Sequence, residues 1–183
     1  DYIGEMEDVE GNQRPPLPDS LITYDYEIRV DPFAEGLEIP WAIDFLDDRT
    51  ALITERPGRL RIVKDGQLQE APVSGTPDVL SQGQGGLMDV AVDPNFSENG
   101  WIYLSYSHVL PGEERRLPAM TRLVRGKLKG NTWSDQEVIY EAPHETYLPT
   151  RHHYGCRIVF DHTGMLYFAI GDRGRSHQAQ EFS

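Results

Sequence analysis

From Leu21 onward, apolar residues fall in short β-rich runs, with no stretch at helical spacing. The runs at 24–30, 41–46, 51–55, 60–64, 88–92, 101–107, 121–127, 157–161 and 165–171 read as strands. Turn-forming residues separate them: Asp47-Asp48, Pro57-Gly58, Asp65-Gly66, Asn99-Gly100, Lys129-Gly130-Asn131 and Thr163-Gly164. The pattern predicts an all-β chain over 21–183. Residues 1–20 are acidic, carry Pro15, Pro16 and Pro18, and offer little apolar surface, so they read as a flexible N-terminal tail.

Three segments repeat. Trp41 to Asp47 leads through a turn to Ala51–Glu55, Met88 to Pro94 leads to Trp101–Ser105, and Arg157 to His162 leads to Met165–Ile170. Each is an apolar strand that ends at an acidic turn, followed by a second apolar strand. Anchored on Phe45, Val92 and Phe160, the repeats lie 47 and 68 residues apart. Repeats of about 40–50 residues with four strands each mark a β-propeller. At that size, 183 residues supply about three blades, whereas closed rings have about 4–8. Three blades leave an open face, so the chain reads as the N-terminal half of a larger ring whose second half is its partner.

Composition narrows the function. The 17 Lys and Arg stand against 30 Asp and Glu, a net charge of −13, and the basic residues are scattered. A phosphate backbone would be repelled at most approaches, which argues against nucleic acid. The single cysteine, Cys156, excludes an internal disulfide and a cysteine-cluster metal site. No apolar run approaches the roughly 20 residues of a membrane-spanning helix. A chain that starts at Asp1 without a basic-then-apolar leader fits a mature, processed protein.

Five of the six histidines (His144, His152, His153, His162 and His177) lie in the last forty residues. Imidazole is the side chain suited to moving a proton near neutral pH. Gln84 sits in Gly83-Gln84-Gly85-Gly86, and three glycines in four positions suggest backbone brought close to a ligand. This is no phosphate cradle, since neither Lys-Ser nor Lys-Thr follows. A transition-metal site on His152 and His153 is disfavoured, because neighbours on a strand point to opposite faces. No Asp-x-Asp-x-Asp calcium loop is present, so no calcium ligand can be named. Arg157 reads as an anchor between blades through a carboxylate, and Arg175 has no clear role.

Five motifs occur in order: Ile39-Pro40-Trp41-Ala42, Thr54 to Leu60, Gly83 to Leu87, His153-Tyr154-Gly155-Cys156-Arg157, and Ile170-Gly171-Asp172-Arg173-Gly174. Over about 39–179 the chain resembles the glucose/sorbosone dehydrogenase family, which includes soluble quinoprotein glucose dehydrogenase and the aldose sugar dehydrogenases. The resemblance implies a six-bladed propeller in the complete protein, in the periplasm or secreted. It implies oxidation of an aldose at its anomeric carbon to the lactone, with hydride transfer to pyrroloquinoline quinone and with bound Ca²⁺. An unidentified electron acceptor then takes the electrons. His153 matches the family's catalytic base, and Asp172 matches the carboxylate held against it. Gln84 falls at the cofactor and sugar pocket, with His153 also on the cofactor. His177 falls where glucose-oxidising members carry a polar side chain toward the sugar. His152 departs from those members, which have an acidic residue directly before the base; an imidazole cannot reproduce a carboxylate's paired acceptors for sugar hydroxyls. The calcium ligands would lie outside this segment. Two other readings share the fold: a non-catalytic extracellular binding module, which would lack the histidine–aspartate pair, and a calcium-dependent lactonase-type hydrolase, which would need an Asn- and carboxylate-lined metal centre.

Overall fold

The structure is a computed structural model that describes residues 20–22, 24–112 and 117–177. Contacts divide the chain into a unit over Asp1–Phe33 and a second over Ala34–Ser183. In the first unit, β1 (Ser20–Ile22) pairs antiparallel with β2 (Glu27–Arg29). The strand expected over 24–30 is therefore shorter, because Tyr24 and Asp25 form a bend. Apart from Ser20, the expected tail over 1–20 lies outside the described residues.

The second unit is nearly all sheet. β3 (Pro40–Asp47), β4 (Thr50–Glu55), β5 (Arg59–Lys64) and β6 (Gln67–Leu68) form one antiparallel meander in chain order. A second meander contains β7 (Leu87–Val92), β8 (Ile102–Val109), β9 (Ala119–Lys129) and β10 (Thr132–Glu141). β11 (Ile158–Phe160) and β12 (Leu166–Phe168) start a third. The first strands meet, β7 touching β3 on one side and β11 on the other. Successive four-stranded meanders meeting at their first strands are the repeat of a β-propeller. Of the three repeats, two are complete sheets and the third is present as two strands. A single helical turn, Phe96–Asn99, and a 3₁₀ turn, His144–Thr146, interrupt the β pattern.

The sequence pattern missed β1, β6 and β10; β1 has only three residues, beginning at the last residue read as tail. β6 has two residues, too few to show alternation. β10 is ten residues long, but register shifts between Ser134 and Glu137 and between Val138 and Tyr140 break its two-residue period, and Asp135 takes a left-handed φ of 51°. The acidic turns have a structural reason. Asp47, Asp93 and Asp161 each accept the backbone N–H two residues on, at 2.8–2.9 Å. Asp93 and Asp161 also take the hydroxyls of Tyr103 and Tyr167 on the following strands, at 3.1 and 3.2 Å. The repeated Asp-turn-Tyr pattern is thus a turn lock.

Leu52 and Leu60 of the first sheet pack against Leu87, Val90, Ile102, Leu104 and Val124 of the second. Its other face is covered by the third repeat, where Ala91, Tyr103 and Leu123 meet Ile158, Phe160 and Phe168. β7 is consequently buried over five consecutive residues, 87–91, as expected of a strand covered on both faces. The one charged residue in that run is Asp89. Its carboxylate accepts the Ile158 N–H at 2.7 Å and the Arg157 guanidinium at 3.1 Å, which joins β7 to β11. Arg157 is thus the inter-sheet anchor expected of it. Asp44 does the same one sheet earlier, accepting the Val92 N–H at 2.7 Å.

Burial pushes the Asp89 carboxyl above its ordinary value, against the opposing pull of the Ile158 N–H and Arg157. A raised carboxyl binds its proton more readily when folded, so its contribution to stability declines as pH rises past the ordinary carboxylate value. In the complete protein, Asp89→Ala strands a buried N–H and is expected to cost about 1–3 kcal/mol in urea denaturation. Asp89→Asn keeps an acceptor, costs less, and gains on wild type as pH rises from about 4 to about 7. Equal midpoints for wild type and Asp89→Ala would remove the latch from this account.

Candidate active site

The loop over 80–86 enters β7, the loop over 148–157 enters β11, and the segment over 169–174 leaves β12. Hydrogen bonds bring the three together. The Gln84 N–H donates to Arg151 O at 2.8 Å, and the His153 N–H returns to Gln84 Oε1 at 2.8 Å. His153 Nδ1 meets Asp172 Oδ1 at 2.7 Å. Two backbone contacts flank that pair: Gly171 N–H to Tyr154 O at 2.9 Å and Arg173 N–H to His153 O at 3.2 Å. The motif glycines make this approach possible. A Cβ on Gly155 would strike Ile170 and Gly171, and one on Gly171 would strike His153 O.

A carboxylate at Nδ1 fixes the proton there and leaves Nε2 as the basic nitrogen. Among the described residues Nε2 has no partner, and the His153 side chain is 54% exposed while Asp172 is 24% exposed. Nε2 is therefore open to a substrate, and Asp172 lies behind it. The Gly174 N–H, and after it the His153 ring, hold the Asp172 carboxyl below the ordinary value of 3.8. The carboxylate is thus ionised throughout the range in which imidazoles titrate.

His152 is not on a strand, so the opposite-faces expectation fails. His153 has a left-handed φ of 53°, which brings the two rings edge to face at 4.8 Å. His177 is exposed in the turn after Arg175 and makes no hydrogen bond to the other four among the described residues. The structure therefore joins Gln84, His153 and Asp172, sets His152 beside them, and leaves His177 apart. The glycine-rich loop also differs in what it approaches: Cβ atoms on Gly83 and Gly86 would strike Arg151 and Arg56, so the close contact is with the chain's own backbone.

Sequence reasoning missed three arginines beneath this loop. Arg56 donates to Gly83 O at 2.5 Å, Arg151 to Leu117 O at 2.8 Å and to Gln82 Oε1 at 3.1 Å, and Arg173 to Thr150 O at 2.9 Å. The signal was present, since Arg56 and Arg173 lie inside two of the five motifs and Arg151 one residue before His152. Their charge, with the Gln84 amide nitrogen left as a donor, suits an acceptor-rich, anionic ligand such as a quinone carboxylate. A metal fits less well: among the described residues no three His, Cys, Asp or Glu side chains converge on one point.

The glucose / sorbosone dehydrogenase family model matches residues 37–183. The aldose sugar dehydrogenase YliI of Escherichia coli K12 is 37% identical over 157 residues, which is 84% of this chain and 41% of that protein. Quinoprotein glucose dehydrogenase B of Acinetobacter calcoaceticus is 28% identical over 154 residues, 80% of this chain and 31% of that one. The crystal structure of the soluble aldose sugar dehydrogenase of E. coli in its apo form superposes with a TM-score of 0.70 at 38% identity, covering 79% of this chain and 41% of that one. The chain thus spans less than half the length of these relatives. The five motifs, the propeller repeats and the family match agree, and the chain belongs to the glucose/sorbosone dehydrogenase family.

Proposed function

We propose that the complete protein is a quinoprotein that oxidises an aldose at its anomeric carbon to the lactone, with His153 as general base. The observation that carries this reading is the 2.7 Å contact between His153 Nδ1 and Asp172, which leaves Nε2 unpaired and accessible. Nε2 takes the anomeric hydroxyl proton as the carbon–hydrogen bond breaks. Asp172 holds the ring in the productive tautomer and stabilises the imidazolium that forms. Gln84 fixes the backbone of the base through the His153 N–H and keeps its amide nitrogen for an acceptor on sugar or cofactor. His152, at the rim, contacts the sugar, and His177 is assigned to it by family position alone.

Pyrroloquinoline quinone, when bound, supplies the two-electron oxidising capacity that a proton-transfer site lacks. Gln84 and His153 are the residues of this segment that would hold it. Calcium has no ligand set among the described residues, and no step is routed through it. The second half of the ring covers the apolar residues left exposed at the two ends of this array, Ile43 on β3 and Val159 on β11. A periplasmic or secreted location fits this reading; among the described residues no helix is long and apolar enough to cross a membrane.

In the complete protein, His153→Ala is expected to abolish sugar oxidation while quinone binding stays largely intact, held by Gln84 and the second half of the ring. Retention of more than about a tenth of wild-type turnover would mean that under ~1.4 kcal/mol of barrier was at stake, and would move the base elsewhere.

Asp172→Asn is expected to lower turnover by about 10²–10⁴-fold. The depressed Asp172 carboxyl contributes stability above its unfolded value and loses it only as pH falls through the lower folded value. Asp172 is therefore ionised at every pH from about 5 to about 8, and a rate loss in Asp172→Asn is expected throughout that window. Wild-type turnover in Asp172→Asn across the whole pH–rate profile would take Asp172 out of the mechanism.

A further inference from the structure

We propose that Arg173 is a positioning residue for the reaction: its buried guanidinium, clamped on the carbonyls of Thr150 and His152, fixes the loop that presents His153. This rests on the reading of His153 as the base. Arg173 is 2% exposed, yet among the described residues no carboxylate lies within ion-pairing distance of it. A buried cation with no counter-charge is costly, and such groups persist where something else holds them. Here four groups do. The guanidinium donates to His152 O, to Thr150 O at 2.9 Å and to Ala119 O at 3.2 Å, and it lies over the Tyr154 ring at 3.6 Å.

Three of those four contacts fall within the loop 150–154, on either side of the base. Thr150 O, His152 O and the Tyr154 ring bracket His153, while the Arg173 N–H takes His153 O itself at 3.2 Å. Arg173 also follows Asp172 directly in the chain. One residue thus sets the position of the imidazole's loop and, through the peptide bond, that of the carboxylate facing the imidazole. The Ala119 contact ties both to the start of β9, so the reference point is a strand.

The backbone is strained where this clamp acts. His153 and Arg173 have left-handed φ values of 53° and 54°. For residues with a side chain, that region is sterically unfavourable. Strain of this kind persists only where the surroundings over-determine it, and the guanidinium's carbonyl contacts supply that determination. Lysine could keep the charge but not the planar fork that spans several carbonyls at once.

The test uses the complete, cofactor-loaded protein. Arg173→Lys is expected to lower kcat about 10- to 100-fold, the scale of a misplacement near 1 Å, while sugar KM and quinone affinity stay within about twofold. Hydrogen exchange at the His153 amide, held by Gln84, is expected to speed up. Arg173→Ala is expected to regain turnover with added ethylguanidinium, which refills the space with the same donors. Wild-type kcat in Arg173→Lys, with His153→Ala inactive, overturns this proposal and leaves the base in place. Residual turnover in His153→Ala overturns the base reading instead. If Arg173→Lys does not fold, Arg173→Gln, which keeps a planar pair of N–H donors, is measured in the same way. Failure of both to fold, or no rescue by ethylguanidinium, makes the residue a support of the fold and sinks the proposal.

Discussion

Everything in the second unit depends on how neighbouring sheets are joined where no ladder runs between them. Within a sheet, each strand satisfies the next. Between sheets the contact is mainly of apolar faces, and these are non-directional, so apolar packing alone does not fix the register of one blade on another. Asp44 and Asp89 supply the direction by capturing one backbone N–H each from the following sheet. The cost is visible in Asp89, whose carboxyl burial drives toward its protonated form. That cost is tolerated because the alternative is an orphaned Ile158 N–H at the first residue of β11. The position of β11 in turn sets the loop that carries His153.

The fold was largely legible because its units are repeated and local. Alternation, turn residues and the acidic strand ends located nine strands near their observed positions, and Asp93–Tyr103 and Asp161–Tyr167 explain why those ends recur. What failed to show was irregular. β10 hides behind its bulges, and β1 and β6 are too short to have a pattern. At the site, Gln84, His153 and Asp172 could be named from motif position, whereas their convergence depends on loops 69 and 19 residues apart in sequence. The backbone dihedral of His153 carries no compositional signature, so a rule drawn from strands gave the wrong relation between His152 and His153. The arginines were missed because a guanidinium that binds carbonyls leaves no charge partner to look for.

Two kinds of buried charge divide the work of this acidic chain. Glu55, whose side chain is wholly buried, answers to cations: burial pushes its carboxyl up, but the Glu38 N–H and Arg59 at 2.6 Å hold it below its ordinary value. This knot pins the turn between β4 and β5, next to Arg56. Near the base the arrangement is reversed. Arg151 and Arg173 are buried on carbonyls, and Asp172 serves His153 and the Gly174 N–H. Had Asp172 been paired with a guanidinium, its charge would have been spent on structure and the imidazole would have lost its orienting group.

That reversal bears on how a chain of net charge −13 could hold the anionic cofactor proposed for it. Over long distances the negative field repels a carboxylate-bearing ligand, but screening confines the repulsion to about 8–10 Å at physiological salt. Inside that range the local sign decides, and Arg56 is bonded to the loop of Gln84, Arg173 to the loop of His153, and Arg151 to Gln82 and Leu117. With most of their donors on carbonyls, they would act on the proposed ligand chiefly through a fixed positive potential. Such a potential would need no reorganisation when the ligand arrives, while the carboxylate form of Asp172 rests on the Gly174 N–H and the His153 ring.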